Sequence, residues 1–436
     1  MRGGWAAIGY LSPCARSWFV CHVADRHRAD TDDVPRTKTG EALGAETGDV
    51  FRTETGDALR AETGEVPGTV TYPRDQRGYQ CGSDPIAAIG VFGKGIALPM
   101  LLAQDSFVLG RAAICGDLRV DEQYLASMHA RIDRVVGSRA SIRVTNVSNG
   151  KNDIVYNGDI AEQGFEMGAG EWFMIGETKY FALNEEMRLA RPRLMEVLGA
   201  QQHNAIDDLL ISAVRESARH ILLVGEPGCD QDRLGRVVHE VSHRRHNRFH
   251  VLPEKAKLDS GTRQDIQRAN SGTILVQLPS KGKLDQRLVA ALVDPAAKLR
   301  LIICAYSRNK AEASFPPDVI KDAKAIAIPP LRERTNEELQ ELLDQWFIAR
   351  RSELRFSALR PEVREGLLSH TWPDNLKELR EAADHFARLA HYRSGRQADR
   401  DSQLTRGKLR GWIKRLHLKL KFPLIPRDDD DDDSDG

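Results

Sequence analysis

A loop with two glycines stands between an apolar run and a helical pattern, and its residue types suit phosphate chemistry. The run Ile221–Val224 predicts a short buried strand, and the loop "GEPGCDQD" follows it directly. Apolar residues then recur at the spacing of a helix, at Leu234, Val237, Val238 and Val241. A strand, a glycine loop and a helix in this order present backbone N–H groups that can bind phosphate. The position at which such a loop needs lysine, however, holds the uncharged Gln231.

The elements that would position this loop are indicated by the surrounding apolar pattern. Apolar runs bounded by turn residues predict strands in "HILLV", "GTILVQL" and "LRLIICAY", and helical patterns lie between them. This alternation predicts an α/β core over residues 206–334. Residues 335–395 keep helical spacing throughout, which predicts an all-α segment.

A different pattern occupies residues 86–183. Short apolar runs such as "FVLGR", "SIRVTNV" and "WFMIGE" alternate with turn residues, which is typical of an all-β sandwich. Residues 184–205 are rich in charge and predict a helical linker to the α/β core. Because a chain of 436 residues accommodates about two or three domains, this multidomain division fits the length.

The two ends of the chain have biased compositions. Residues 1–80 contain a repeat with a period of eight, with units such as "TKTGEALG" and "AETGDVFR", and few large apolar side chains. Such a segment cannot bury a core, which predicts disorder. Residues 396–436 combine a basic segment with the acidic tail "DDDDDDSDG", and we expect a solvated basic helix followed by a disordered tail.

The overall composition excludes several classes of protein. Lys plus Arg and Asp plus Glu both number 63, so the formal net charge is zero and no general attraction to nucleic acid is expected. The six cysteines are scattered without a CxxC pair, which favours reduced thiols over a metal site or a disulfide framework. No apolar run is long enough to span a membrane, and we expect a cytoplasmic protein.

Residues 86–183 resemble the forkhead-associated (FHA) domain, the module that binds phosphothreonine. The resemblance rests on landmarks in family order, which are Gly110-Arg111, the expected strand "DLRVD", His129 in "MHARI", Asn157-Gly158 and the final "MGAGEWFMIGETKYFAL". A guanidinium can donate two parallel hydrogen bonds to a phosphate dianion, and the motif places Arg111 for this role.

The resemblance implies further residues of a phosphopeptide site. The serine that the family places three residues before His129 is Ala126 here, and Ser127 could supply the hydroxyl after a shift of one residue. The asparagine that holds the peptide backbone corresponds to Asn149 or Asn152. His129 is expected to be a structural hydrogen-bonding residue. A sandwich that no longer binds phosphothreonine is the alternative.

Residues 206–392 resemble the AAA+ domain of bacterial enhancer-binding proteins, the ATPases that activate sigma-54 RNA polymerase. The segments in family order are the Walker A region "GEPGCDQDRLGRVVHEVSHRR", the Walker B region "RANSGTILVQL", the sensor I strand "LRLIICAYS", the lid entry "IPPLRERTNEELQELLDQW" and the sensor II helix "LSHTWPDNLKELREAADHFARLA". The resemblance implies a P-loop-type α/β core and an all-α lid.

The Walker A loop departs from the family at the positions that bind phosphate. Gly225, Glu226 and Gly228 match, but the last glycine of the loop is Asp230 and the lysine is Gln231. Asp230 places a carboxylate where phosphates would lie, and Gln231 has no charge. The resemblance therefore implies a degenerate nucleotide site.

Other catalytic positions of the family are also changed. The Walker B acids correspond to Gln277 and Leu278, the sensor I asparagine to Ser307, and the sensor II arginine to Lys377. Pro316 stands at the first position where the family has its trans-acting arginine. Without the carboxylates there is neither a good Mg²⁺ ligand nor a base to orient water. We therefore expect no ATPase activity, no catalytic residue, no bound metal and no cofactor.

Two absences bear on the partners. The stretch "FHVLPEKAKLDSGTRQDIQRANSG" is too short for the family's insertion with a "GAFTGA"-type loop that touches sigma-54, so direct remodelling of that polymerase is not expected. The C-terminal "LTRGKLRGWIKRLHLKLKFPLIPR" is too short for the usual helix-turn-helix, so specific DNA binding is not expected either.

These features predict a non-catalytic signalling protein that regulates transcription. The FHA-like domain would dock a phosphorylated protein, or a partner without phosphate, and the AAA+ region would be a scaffold. Intact AAA+ activators or RNA polymerase components are the expected further partners, and an oligomer is compatible with the sequence. The alternatives are an ATP-dependent sigma-54 activator that uses ATP and Mg²⁺, and a DNA-associated regulator that uses the basic C-terminal segment.

Overall fold

The computed structural model describes residues 84–150, 152–216, 219–350, 354–390, 392, 406–416 and 424–425, which belong to one structural unit. The repeat within residues 1–80 and the acidic tail, both predicted to be disordered, lie outside the described residues. The described part contains a β-sandwich, two connecting helices, a parallel sheet with flanking helices, and a helical C-terminal segment.

The sandwich confirms the all-β prediction for this part of the chain. Its strands are β1 (Ile86–Val91), β2 (Ile96–Pro99), β3 (Ser106–Leu109), β4 (Ala130–Val135), β5 (Ser138–Asn146), β6 (Ile154–Tyr156), β7 (Asp159–Ile160), β8 (Phe165–Gly168), β9 (Trp172–Ile175) and β10 (Thr178–Asn184). One antiparallel sheet has the order β2-β1-β10-β9-β6-β7, and the other has the order β3-β4-β5-β8. Inward-facing side chains alternate with exposed ones, as buried Ile132 does with exposed Arg131.

The stretch "DLRVD", predicted as a strand, has a less regular structure. Residues Ala113–Leu118 form 3₁₀ turns, and Arg119 makes an isolated bridge with Gly110. Gly116 has a φ of 55° between these turns, a conformation that interrupts extended chain. The prediction of a regular strand was wrong here.

Two helices connect the sandwich to the parallel sheet. Helix α1 (Glu185–Leu198) is capped at its N-terminus by Asn184, whose side chain accepts a hydrogen bond of 2.9 Å from the Met187 N–H. Helix α2 (His203–Arg215) follows. Their apolar faces belong to the same core cluster as Phe181 and Leu183 of the sandwich. Helix α2 thus runs through the expected boundary between linker and core at 205/206, and both helices pack against the sandwich and the core.

The α/β core contains five parallel strands. They are β11 (Ile221–Val224), β12 (Phe249–Leu252), β13 (Thr273–Gln277), β14 (Arg300–Ala305) and β15 (Lys324–Ala327), in the order β12-β13-β14-β11-β15. The helices along this part are α3 (Gln231–Val241), α4 (Ser260–Arg268), α5 (Gln286–Leu292), α6 (Arg308–Glu312) and α7 (Pro317–Asp322). Because the strands are parallel, the loop that follows β11 lies at the carboxyl edge of the sheet, where such folds bind ligands.

The lid consists of helices α8 (Asn336–Arg350), α9 (Pro361–Ser369) and α10 (Asn375–Leu389). Helix α11 (Arg406–Arg415) was expected to be solvated, but Trp412 and Leu416 are buried in the same cluster as the lid residues. The Trp412 ring lies 6.1 Å from the Trp372 ring between centroids. This apolar contact holds the basic helix on the lid. None of the helices described above is long and apolar enough to cross a membrane.

Candidate functional site

The loop after β11 has two residues with positive φ and lies against the lid. Gly228 has a φ of 77°, and a Cβ placed on it would lie 2.0 Å from the carbonyl oxygen of Asp374 in the lid. Asp230 has a φ of 55° at the position where the family has glycine. Aspartate tolerates this left-handed conformation better than most side chains, so the turn survives the substitution.

The Gln231 side chain turns back onto the sheet and fills the position of the expected lysine. Its Nε2 donates to the carbonyl oxygens of Leu223 at 3.2 Å, Gly225 at 3.3 Å and Ala305 at 3.1 Å. These acceptors lie at the carboxyl ends of β11 and β14. The amide therefore ties the loop to two strands and brings no positive charge to the site.

The Walker B positions also lack acidic chemistry. Gln277 ends β13 as a half-buried residue opposite Cys304. Leu278 is 2% exposed and packs in the apolar cluster on one face of the sheet, and its N–H donates to the Cys304 carbonyl at 2.9 Å. Neither side chain can act as a general base, and leucine cannot bind a metal ion.

The sensor I position has a structural role. Ser307 is exposed and precedes α6, and its Oγ accepts a hydrogen bond of 3.3 Å from the Lys310 N–H. The neighbouring Tyr306 hydroxyl donates to Glu254 at 2.7 Å. Pro316 precedes α7 and cannot replace an arginine.

The lid contacts the loop directly. The Asn375 side chain donates to the Pro227 carbonyl at 3.0 Å and accepts from the Leu331 N–H at 2.9 Å. The Lys377 N–H donates to the Gly228 carbonyl at 3.1 Å, while the Lys377 side chain is exposed. The predicted Lys377 thus reaches the loop through its backbone.

Charged pairs surround the same loop. Arg332 donates to both carboxylate oxygens of Glu226, at 2.6 and 2.5 Å. Asp230 pairs with Arg380 of α10, and Arg380 also lies 3.1 Å from Glu196 at the end of α1. Burial raises the pKa of Asp230 above its ordinary value, and Arg380 opposes this effect.

Sequence reasoning missed Glu196, Asn375 and Arg380. Only the need of Asp230 for a cation could have signalled a partner.

The FHA-like sandwich brings Arg111 and Ser127 together on its surface. The Arg111 N–H donates to the Ala126 carbonyl at 3.1 Å, and the Ala112 N–H donates to the Ser127 carbonyl at 2.9 Å. Both predicted side chains are exposed. Arg119 lies beside them, since its Nε donates to the Arg111 carbonyl at 3.0 Å. Two guanidinium groups are thus available on one surface.

The predicted asparagines have different environments. Asn152 donates through Nδ2 to the Tyr124 carbonyl at 2.6 Å, so its amide ties two loops together. Asn149 is exposed and has a φ of 54° at a turn. His129 is buried, and its Nδ1 accepts from the Ala126 N–H at 3.0 Å. This contact is the structural hydrogen bond expected for His129.

The chain was compared with known proteins, and the matches are of two kinds, a sigma-54-dependent regulator and solved structures. No family model matches the chain. The uric acid sigma-54-dependent transcriptional regulator UacR of Escherichia coli (strain K12) is 29% identical over 222 residues, which are 41% of this chain and 37% of that protein. The chain therefore matches well under half of this curated relative.

Solved structures of both kinds also match. The FHA domain of the CT664 protein from Chlamydia trachomatis covers 22% of this chain and 95% of its own, at 16% identity and a TM-score of 0.20. NtrX from Brucella abortus in complex with ADP covers 53% of this chain and 64% of its own, at 16% identity and a TM-score of 0.34. Over 41% of its length the chain is thus similar to a sigma-54-dependent transcriptional regulator, and its structural neighbours include FHA domains.

Proposed function

We propose that this protein regulates transcription without hydrolysing ATP. In this proposal the FHA domain docks a partner protein, and the AAA+ domain is a scaffold that presents the docked partner to the transcription machinery. Intact AAA+ activators and RNA polymerase components are the partners that this role favours. The identity of 29% with a sigma-54-dependent regulator supports the link to transcription.

The observation that carries the proposal is the position of the Gln231 amide. Its Nε2 is bound to three carbonyl oxygens of the loop and the sheet, which occupies the space from which a lysine would reach phosphate. A nucleotide at this loop would gain no cation from position 231 in return for the desolvation of its phosphates. Because phosphate binding is mainly electrostatic, this exchange is unfavourable.

The remaining positions support the absence of hydrolysis. Leu278 is buried among apolar residues, and no carboxylate stands at Gln277. Phosphoryl transfer to water needs a metal ion to neutralise the developing charge and a residue to orient the water. The side chains at these positions supply neither function, so residual nucleotide binding would still give no turnover.

Exposed positive charge supports docking of a phosphorylated partner. Arg111 and Arg119 are exposed beside Ser127, and among the described residues no ion pair involves Arg111. A phosphate dianion could accept two hydrogen bonds from the Arg111 guanidinium and one from the Ser127 hydroxyl. Docking without phosphate is the second mode. It is supported by two apolar side chains beside this surface, Ile114 and Met128, which are 77% and 47% exposed.

An ATP hydrolysis assay on the full chain tests the proposal. We expect phosphate release no faster than in buffer alone, over the range of protein concentrations in which an oligomer could form. The same assay with added sigma-54 polymerase and promoter DNA tests the alternative of a working activator. ATP turnover by the purified chain, or ATP-dependent promoter opening, would refute a non-catalytic role.

A further inference from the structure

Four charged side chains meet where the α/β core, the lid and helix α1 come together. Glu196 lies near the end of α1, Asp230 in the loop, Arg233 on α3 and Arg380 on α10. The side chains of Glu196 and Asp230 are only 10% and 12% exposed. The guanidinium groups of Arg233 and Arg380 supply the cations that these two buried carboxylates need.

Glu196 is the centre of this cluster. Its two carboxylate oxygens accept from Arg233, each at 2.5 Å, and one of them also accepts from the Trp346 indole N–H at 2.7 Å. Arg334, at the entry to the lid, donates to the Glu196 backbone carbonyl at 2.9 Å. Side chains of the core and of the lid therefore both donate hydrogen bonds to Glu196 at the end of α1.

Arg380 connects the cluster to the loop. It pairs with Asp230 and lies 3.1 Å from Glu196, and its guanidinium carbon stands 4.9 Å from the centre of the Trp346 ring. Arg380 is thus fixed by two carboxylates and by an aromatic face from its own lid. With glycine, the residue that the family places at position 230, this cation would face the loop without its carboxylate partner.

We propose that Asp230 and Arg380 form a latch that holds the lid on the α/β core without nucleotide, and that Glu196 connects this latch to the helix packed against the FHA domain. The proposal rests on the proposed function, because it assigns to Asp230 a role in place of phosphate binding. The latch fixes one arrangement of FHA domain, core and lid. A partner docked on the FHA domain is then presented in one orientation.

Hydrogen exchange of the full chain, followed by mass spectrometry, measures the latch. The test variants are Asp230→Asn, which keeps a residue that tolerates the left-handed conformation, and Arg380→Gln. The matched control is Arg388→Gln on the same helix, because Arg388 pairs with Asp384 at 2.7 Å away from the cluster. Strand β13 reports whether a variant has lost its fold as a whole.

In the wild type we expect slow exchange in residues 375–389 that ATP and Mg²⁺ leave unchanged. In Asp230→Asn and Arg380→Gln the same residues should exchange about tenfold faster or more, while β13 keeps its protection and Arg388→Gln resembles the wild type. Exchange of residues 375–389 at the wild-type rate in both test variants would overturn the latch. Slow exchange of the wild-type lid only after ATP is added would overturn it as well. If the purified chain hydrolyses ATP while lid exchange follows this pattern, the non-catalytic role fails but the latch stands.

Discussion

The Gln231 side chain donates a hydrogen bond of 3.1 Å to the carbonyl oxygen of Ala305, which lies 74 positions further along the chain. This bond joins the first turn of α3 to the end of β14. It ties the loop between β11 and α3 to the parallel sheet. The substituted residue is therefore integrated into the fold, and its removal should have a measurable cost.

Replacement of Gln231 by alanine should destabilise the α/β core. The change leaves the carbonyl oxygens of Leu223, Gly225 and Ala305 without this donor, and we expect a loss of about 1–3 kcal/mol in the free energy of unfolding. Urea unfolding measures the loss. The control Gln264→Ala removes an exposed glutamine from α4 and should change the stability by less than about 0.5 kcal/mol. Equal stability of the two variants would contradict a structural role for Gln231.

Replacement of Arg111 by alanine should remove phosphate-dependent docking. The guanidinium is exposed beside Ser127 and is the group best placed to bind a phosphate dianion. Fluorescence anisotropy with paired phosphothreonine and unmodified peptides measures the difference in affinity. The control Arg143→Ala removes another exposed arginine, which pairs with Glu166 at 3.3 Å, and should leave binding unchanged. An Arg111→Ala protein that still prefers the phosphorylated peptides would contradict this assignment.

Replacement of Trp412 by alanine should loosen the C-terminal helix from the lid. Trp412 is 3% exposed and packs against Trp372, so we expect a cost of about 3–5 kcal/mol to the stability of the lid. Hydrogen exchange in α9 and α10 reports the effect. Lys414→Ala changes an exposed residue of the same helix and should be near neutral. Unchanged lid protection in the Trp412 variant would show that the helix is dispensable.

His239 should contribute a defined pH dependence. Burial first, and then the nearby Arg300, lower the pKa of His239 to about 4, and its Nδ1 lies 2.9 Å from the Thr273 hydroxyl oxygen. The unfolded chain has a pKa near 6.5 at this residue and binds the proton more tightly. Above about pH 6.5 the neutral His239 therefore makes its full contribution to the free energy of unfolding. As the pH falls towards 4, about 3 kcal/mol of that free energy is lost.

Urea unfolding between pH 7.5 and pH 4.5 tests this contribution. The wild type should lose more stability over this interval than His239→Gln, which cannot take up the proton. Parallel loss in the two proteins would show that His239 is not the group responsible. Other groups that titrate in this interval contribute to both proteins and cancel in the comparison.

The central elements of the fold could be predicted because their apolar runs are strong. The runs "HILLV", "GTILVQL" and "LRLIICAY" correspond to β11, β13 and β14 in the middle of the sheet. The two edge strands, β12 and β15, were missed. Strand β15 has the sequence "KAIA" with one buried residue, because an edge strand that packs on few neighbours needs little apolar surface.

The candidate site was predictable in its residue types but not in its contacts. The departures at Asp230 and Gln231 are visible in the sequence, whereas the partners of these residues are brought close only by the fold. Arg380 and Glu196 are separated by 184 positions, and no local pattern links them. The burial of Trp412 was missed for the same reason, because the charge around it indicated a solvated helix.

Binding of ATP to the purified full chain tests the central claim most directly. Isothermal titration with ATP and Mg²⁺ should give no heat of binding at micromolar to low millimolar concentrations. The double variant Asp230→Gly/Gln231→Lys, titrated in parallel, should gain affinity, because it restores both the loop glycine and the cation. Micromolar binding of ATP by the wild type, together with its turnover, would contradict the account.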